Sequence, residues 1–331
     1  MSHSLLERVE HRLVNEPGGD PGLYIDLIGL RRAVIFDLGE SSLSTRDLIK
    51  AADVCISHTH IDHWIGFDRL LRSWIGRARE LRIHGPEGMA EHVWHRIHGY
   101  VWNLTFEDHL RIVTHEVVGD EVRVEELSIE DRFQRRRDHG ARPHDGVLIQ
   151  GPGFRVEFAE MDHSTTCLGF ALVEDARYSF DPERLKAAGE APGPGLRELR
   201  ARFLAGEEPE RAASLGEFTP ERRYAYVTDT AFSAKSVAAV KRIAGGADVL
   251  YCEATYPEAE ADKAAEVRHL SAGQCGAMAR AAGAQSLVPF HFSRKHAADP
   301  SEILADVEAG RDGRPDWLGR IKAAEQQGQE E

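Results

Sequence analysis

Cysteine is scarce in this sequence. The four that occur, Cys55, Cys167, Cys252 and Cys275, are scattered. No Cys-x-x-Cys pair is present, which excludes a thiolate metal cluster or dithiol redox pair built on that motif. Buried free thiols in a reducing compartment are the expectation. Long apolar runs are also missing, so no segment approaches the length of a membrane-spanning helix. Residues 1–13 carry charges throughout and lack the apolar core of a secretory signal, so a cytoplasmic location is expected. Positive charge is in short supply, with 41 Lys and Arg against 55 Asp and Glu, a net charge of -14. A uniformly acidic surface repels phosphodiester backbones, so a nucleic-acid substrate would need a local basic patch. The densest basic run is Arg132, Arg135, Arg136, Arg137 and Arg142. Such a run reads either as solvated surface or as a hold for a polyanion. No repeat of fixed period is found.

What is present is histidine in a telling pattern. Residues 57–64 read Ser-His-Thr-His-Ile-Asp-His-Trp, placing His58, His60, Asp62 and His63 directly after the apolar run 54–56. Imidazole nitrogen and carboxylate oxygen are ligands that Zn²⁺ accepts, and a strand ending in a tight loop can aim several at one point. Helical apolar spacing resumes over 64–75, so the motif lies at a strand–loop–helix junction.

The same order of strand, ligand and helix recurs along the chain. Strands are expected at 23–27, 33–36, 53–56, 81–83, 154–158, 224–230, 248–255 and 285–290, and helices at 44–51, 196–204 and 233–243. Another helix, capped by Ser271, runs through 282. Residues 1–21 read as a polar segment ending in a turn-rich loop, and 98–150 as less regular. A Pro- and Gly-rich stretch at 180–220, including Pro192, Gly193, Pro194 and Gly195, reads as a surface insert without a core of its own. From 299 onward a helix and a polar tail, starting near 322 and frayed from 325, complete a single domain over 1–331. His163, Asp229 and His291 each follow a predicted strand. Asp37, after four apolar residues, either braces the metal loop or caps a turn. His84, beside a Gly-Pro turn, reads as structural. Seven nitrogen and oxygen ligands exceed one tetrahedral zinc but suit two ions if one carboxylate bridges.

The His-x-His-x-Asp-His pattern of residues 58–63 resembles the signature of the metallo-β-lactamase superfamily. Glu253-Ala254-Thr255 and His269-Leu270-Ser271, lying between Asp229 and His291, resemble paired motifs of its ribonuclease Z branch. The phrase His163-Ser164-Thr165-Thr166-Cys167-Leu168-Gly169-Phe170 and the insert at 192–196 also look like that branch. The likeness spans most of residues 22–300. It implies an α/β (α+β) fold, the αββα four-layer sandwich with a surface insert. His58, His60 and His163 would hold one Zn²⁺, and Asp62, His63 and His291 the other, with Asp229 bridging; Mn²⁺ or Fe²⁺ are alternatives. The implied reaction is phosphodiester hydrolysis by a metal-bridging hydroxide, removing the 3′ trailer of precursor tRNA. Asp62 would orient the attacking group or take its proton, and His269, supported by Glu253, would protonate the leaving oxygen. The resemblance also implies a homodimer. Departures are the opening Glu16-Pro17-Gly18-Gly19-Asp20, where the branch has a Gly-Thr-Gly type, and Ser41-Ser42-Leu43 after Gly39-Glu40. The competing expectation is a hydrolase of a small ester, thioester or cyclic phosphodiester on the same scaffold. A di-iron redox protein is disfavoured by His60, since those relatives carry Glu at that position.

Overall fold

The computed structural model describes residues 8–103, 109–190 and 193–327. Pro192 and residues 328–331 of the expected tail lie outside the described residues. Eight strands form the first sheet in sequence order: β1 (Arg8–Leu13), β2 (Leu23–Ile28), β3 (Arg32–Phe36), β4 (Ala51–Cys55), β5 (Glu80–Pro86), β6 (Arg111–Val118), β7 (Glu121–Ser128) and β8 (Arg137–Pro143). The remaining strands are β9 (Val147–Gly151), β10 (Phe154–Met161), β11 (Cys167–Glu174), β12 (Arg177–Phe180), β13 (Gly216–Thr219), β14 (Arg222–Val227), β15 (Val249–Glu253) and β16 (Ser286–Phe290). Six of them make a second sheet in the order β16-β15-β14-β11-β10-β9, while β12 and β13 pair as a separate ribbon.

Side-chain alternation turns these sheets into four layers. On β4, Val54 belongs to an apolar cluster with Phe67, Leu70, Trp74, Met89 and Val93 from helices outside the sheet. Cys55, one residue on, faces a second cluster between the sheets, with Phe36, Val156, Phe170, Tyr226 and Phe290. On β15, Leu250 and Cys252 face a third cluster with Val240, Ile243, Cys275 and Met278 from helices on the far side. A period of two on each strand therefore feeds one face to the central layer and the other to flanking helices, which is the αββα arrangement. All four cysteines are buried and unpaired with one another.

Four expectations need correction. Residues 111–151 are regular; they supply β6, β7, β8 and β9, the edge strand of the second sheet. The hairpin signal was present in Gly119-Asp120, flanked by alternating apolar residues, with Gly119 at φ 56. The polar start contains β1, which pairs antiparallel with β2 along its whole length. Residues 322–327 of the expected tail are instead part of a helix, Trp317–Gln327, whose Leu318 and Ile321 pack on the third cluster. The insert also differs from its reading. Tyr178, Leu185, Leu199, Phe203 and Leu215 form a small core of their own across the β12–β13 ribbon and three short helices. Those helices are too short for a strong periodic pattern, so the inward residues were legible only once folded.

Candidate metal centre

In the second sheet β10, β14, β15 and β16 run in one direction, through the parallel pairs β14–β15 and β15–β16 and the antiparallel pairs on either side of β11, and the loop after β4 of the first sheet meets their ends. Their carboxyl ends converge on one edge of the sandwich, the usual place for a site in open α/β sheets. Residues 57–63 follow β4, Asp162-His163 follow β10, Asp229 follows β14, Glu253 ends β15, and His291 follows β16.

Asp37 holds the loop after β4. This buried carboxylate accepts from the Ser57 backbone at 2.6 Å, the Ser57 hydroxyl at 2.8 Å, and Tyr226 Oη, which crosses from the other sheet, at 3.0 Å. Nδ1 of His63 lies 2.8 Å from the same Oδ2. Donation there leaves Nε2 free to ligate, the usual carboxylate–histidine support of a metal ligand. The Leu38 amide donates to His63 O at 2.9 Å, and the Gly66 amide donates to Leu38 O at 2.9 Å. Gly39 is required beside them, because a Cβ there would collide with the Asp62 carbonyl oxygen.

Asp229 stands between two histidine groups, each facing a different carboxylate oxygen. Oδ1 lies 3.3 Å from His63 Nε2 and 3.2 Å from His291 Nδ1. Oδ2 lies 3.5 Å from His58 Nε2 and 3.8 Å from His163 Nε2. Ligand atoms of His58, His60, His163 and Asp229 fall within 4.8 Å of one another, as do those of Asp62, His63 and His291. Nε2 of His58, His63 and His163 and Nδ1 of His291 are buried without a hydrogen-bond partner. Buried polar nitrogens are normally satisfied, so four orphans aimed at one carboxylate fit a donor set that closes around cations. His60 is exposed, and the Asp62 side chain keeps 37% of its surface, so the site opens to solvent.

The charges differ from ligand to ligand, and a cation would have to displace the proton that the carboxylates hold on His291. Burial pushes the Asp229 carboxyl up, but His63 and His291 outweigh it and hold it well below the usual range. Burial pulls His291 down, yet Asp229 and Asp62 raise it to about 10. His58, desolvated and crowded by His63, falls to about 2 and is neutral, as a ligand must be.

Glu253 binds a second group of residues to this edge. Its Oε2 lies 2.7 Å from His269 Nδ1 and accepts from Thr255 Oγ1 at 2.6 Å; its Oε1 accepts the Thr230 amide at 2.6 Å. The same carboxylate thus orients His269 and secures the residue after Asp229. His269 Nε2 points back toward Asp229 Oδ2, 3.9 Å away. Four non-glycine residues at this edge, Asp37, Asp229, Arg268 and His291, have positive φ of 56, 32, 60 and 60°. Such backbone is costly for these residue types and persists where neighbours over-determine it, a common feature of functional sites.

No family model matches the chain. Among curated proteins, it is 34% identical over 288 residues to the ribonuclease Z of Deinococcus radiodurans, covering 83% of this chain and 87% of that protein. This chain belongs to the ribonuclease Z family. It is 27% identical over 322 residues to the Myxococcus xanthus ribonuclease Z, covering 92% and 91% of the two. Among solved structures, a metallo-β-lactamase-fold protein of Bacillus subtilis aligns with TM-score 0.54 at 14% identity, covering 91% of this chain and 92% of that one. The short form of human tRNase Z aligns with TM-score 0.52 at 17% identity, covering 87% and 93%. These two likenesses establish the metallo-β-lactamase fold.

All nine residues singled out for the site meet at this edge of the ribonuclease Z-type fold: His58, His60, Asp62, His63, His163, Asp229, Glu253, His269 and His291. The sequence reading missed Tyr226 and Arg268, whose contacts span 189 and 105 positions and leave no local pattern, and gave no role to Ser57 or Thr255 within the motifs that contain them. His84 stands apart, buried with Nε2 3.2 Å from Asp53 Oδ1 and its ring stacked on His115. The basic run lies on and before β8, the far edge of the first sheet, four strand spacings or about 19 Å from β4. Within it, Arg136 pairs with Glu91 and Glu125, and Arg137 with Asp131 and Glu126.

An Asp37→Asn variant follows as a test of the loop anchor. The amide is isosteric but a weaker acceptor for His63 Nδ1, so metal affinity should fall about 10–100-fold. Competition with a chromogenic zinc chelator measures this. Unchanged affinity in a folded variant would remove Asp37 from the centre.

Proposed function

We propose that the chain is a dinuclear zinc phosphodiesterase that removes 3′ trailers from precursor tRNA by endonucleolytic cleavage. The observation that carries this reading is the disposition of Asp229, with one oxygen toward His63 and His291 and the other toward His58 and His163. His58, His60, His163 and Asp229 would hold one ion; Asp62, His63, His291 and Asp229 the other. Two such ions would supply a water activated at neutral pH and positive charge for the phosphoryl oxygens. Asp62, half-open to solvent, orients the attacking water and takes its proton. His269, charged and held by Glu253, donates a proton from Nε2 to the leaving 3′ oxygen. The family relation supports RNA as the substrate, and the open mouth at His60 and Asp62 suits a long chain better than an enclosed small molecule. The same reading carries a homodimer and a cytoplasmic location; among the described residues no helix is long and apolar enough to cross a membrane.

Cleavage of a trailer-bearing precursor tRNA under saturating zinc, with mapping of the new 3′ end, tests the reading. A cut where the trailer joins the end of the acceptor stem is expected. No cut, with retained hydrolysis of a cyclic or small phosphodiester, would favour the small-substrate alternative.

A pH profile tests the proton donor. Burial lowers the His269 pKa, but Glu253 beside Nδ1 and Asp229 behind Nε2 outweigh it, so the net shift is above the ordinary 6.5. The donor is therefore charged below that raised value and is lost as pH rises through it, giving a falling alkaline limb. Glu253→Gln removes the largest raising charge, and the limb should move to lower pH in kcat against pH. A limb that stays in place would exclude His269 as the donor.

A further inference from the structure

Asp162-His163 and Arg268-His269 meet at two points. Nδ1 of His163 donates to the Arg268 carbonyl at 2.9 Å, and the Arg268 guanidinium donates to Asp162 Oδ1 at 2.5 Å. Each contact joins a residue bearing the proposed chemistry, or its neighbour, to the opposite loop. Arg268 takes positive φ, 60°, to present its carbonyl in this way. Its own amide donates to Ala265 O at 3.2 Å, and the His269 amide donates to Ala264 O at 2.9 Å, so the turn is closed just behind the short helix Ala261–Glu266. Asp162 is secured independently. Its carbonyl accepts the Ala231 amide at 2.7 Å, and its amide donates to Ser236 Oγ at 3.2 Å.

We propose that Arg268 is a positioning residue that locks the metal ligand His163 and the proton donor His269 into one register. Its backbone fixes the His163 tautomer, leaving Nε2 for the cation. Its side chain ties the loop carrying His269 to Asp162, which the residues after Asp229 already hold. One residue thereby sets the distance between the first cation's ligands and the group that protonates the leaving oxygen, and disturbing it disturbs both. This rests on the roles proposed above for His163 and His269. Two simpler accounts compete. The pair is partly exposed, with side-chain accessibilities of 43% and 25%, so it resembles surface ion pairs that contribute little. The guanidinium could also serve as a contact for a substrate phosphate.

Full-length protein with Arg268→Gly, Arg268→Lys, Asp162→Asn and the double change Arg268→Gly/Asp162→Asn separates these accounts. Glycine suits positive φ and keeps the carbonyl, so that variant removes the side chain without breaking the turn. Three measurements apply: the rate of zinc loss to EDTA, kcat and KM on precursor tRNA, and hydrogen exchange of residues 264–271 in the metal-free protein. In Arg268→Gly and Asp162→Asn we expect about 10–100-fold faster zinc loss, lower kcat with little change in KM, and faster exchange. The double variant should be no worse than either single change, and Arg268→Lys should recover part of the loss. Wild-type zinc retention and kcat in both single variants would reduce the pair to surface decoration. A rise in KM alone would make Arg268 a substrate contact. Should the wild-type protein hydrolyse no phosphodiester, the functional reading fails, while zinc loss and hydrogen exchange still decide the lock.

Discussion

Asp229→Asn is expected to remove most activity and at least one bound metal equivalent while the protein stays folded. The side chain is almost fully buried, and Thr228 Oγ1 donates to its Oδ1 at 2.7 Å. Asparagine has the same shape and tolerates the positive φ of 32° found here, so the loop need not rearrange. What changes is chemistry at one end. An amide nitrogen would face His63 and His291, or His58 and His163, and it donates where a cation needs a lone pair. One carboxylate can no longer serve two sites. Charge stabilisation by a metal contributes several kcal/mol at the transition state, so turnover should fall about 10³-fold or more. Metal content by plasma emission spectroscopy and kcat on a phosphodiester measure the two effects. A variant with its full metal complement and near-normal turnover would overturn the bridging role.

His269→Ala should behave differently. Of the first histidine group only the His163 ring meets His269, edge to face at a centroid distance of 5.5 Å, and Asp229 Oδ2 is 3.9 Å from Nε2. Glu253 keeps the Thr255 hydroxyl on Oε2 and the Thr230 amide on Oε1, so its buried carboxylate is not orphaned when the imidazole is removed. Both metals should remain bound and the fold intact. Loss of a positioned proton donor lowers the rate by roughly 10²–10⁴-fold. The loss should be greater for RNA, whose leaving alkoxide needs a proton, than for bis(p-nitrophenyl) phosphate, whose leaving group departs unaided. A variant that hydrolyses the artificial diester poorly but cuts precursor tRNA at the normal rate would show that the donor is another group.

The contrast between these variants reflects what local pattern can convey. The loop of residues 58–63 could be read because its ligands lie within six positions and follow an apolar strand, so one segment carries the whole signal. Asp37 was legible as an acid out of place, since an unsatisfied carboxylate after four apolar residues is costly. Its two candidate roles were separated only by the Ser57, His63 and Tyr226 contacts. The hairpin of β6 and β7 carried its turn signal in Gly119-Asp120, but charged residues interrupt the apolar alternation of both strands and make the segment look irregular. Arg268 carried no signal at all. Its function in the proposed lock depends on a backbone carbonyl, which every residue possesses.

The amino-acid sequence by itself determined the kind of chemistry this protein can do. Histidine and aspartate after apolar strands mark a candidate cation site, and the acid and histidine between Asp229 and His291 form the second pair to which we assign the proton transfer. Tertiary structure decided the rest: which oxygen of Asp229 faces which histidines, which nitrogen of each ring is left free, and that the basic run sits at the far edge of the sheet. His291 and Asp62 are 229 residues apart yet lie 3.3 Å from each other. Strand periodicity says which face a residue occupies, but the convergence of five strand ends is set by sheet order and by packing between the two sheets. Those long-range contacts are satisfied together or not at all, and no short window of sequence contains them.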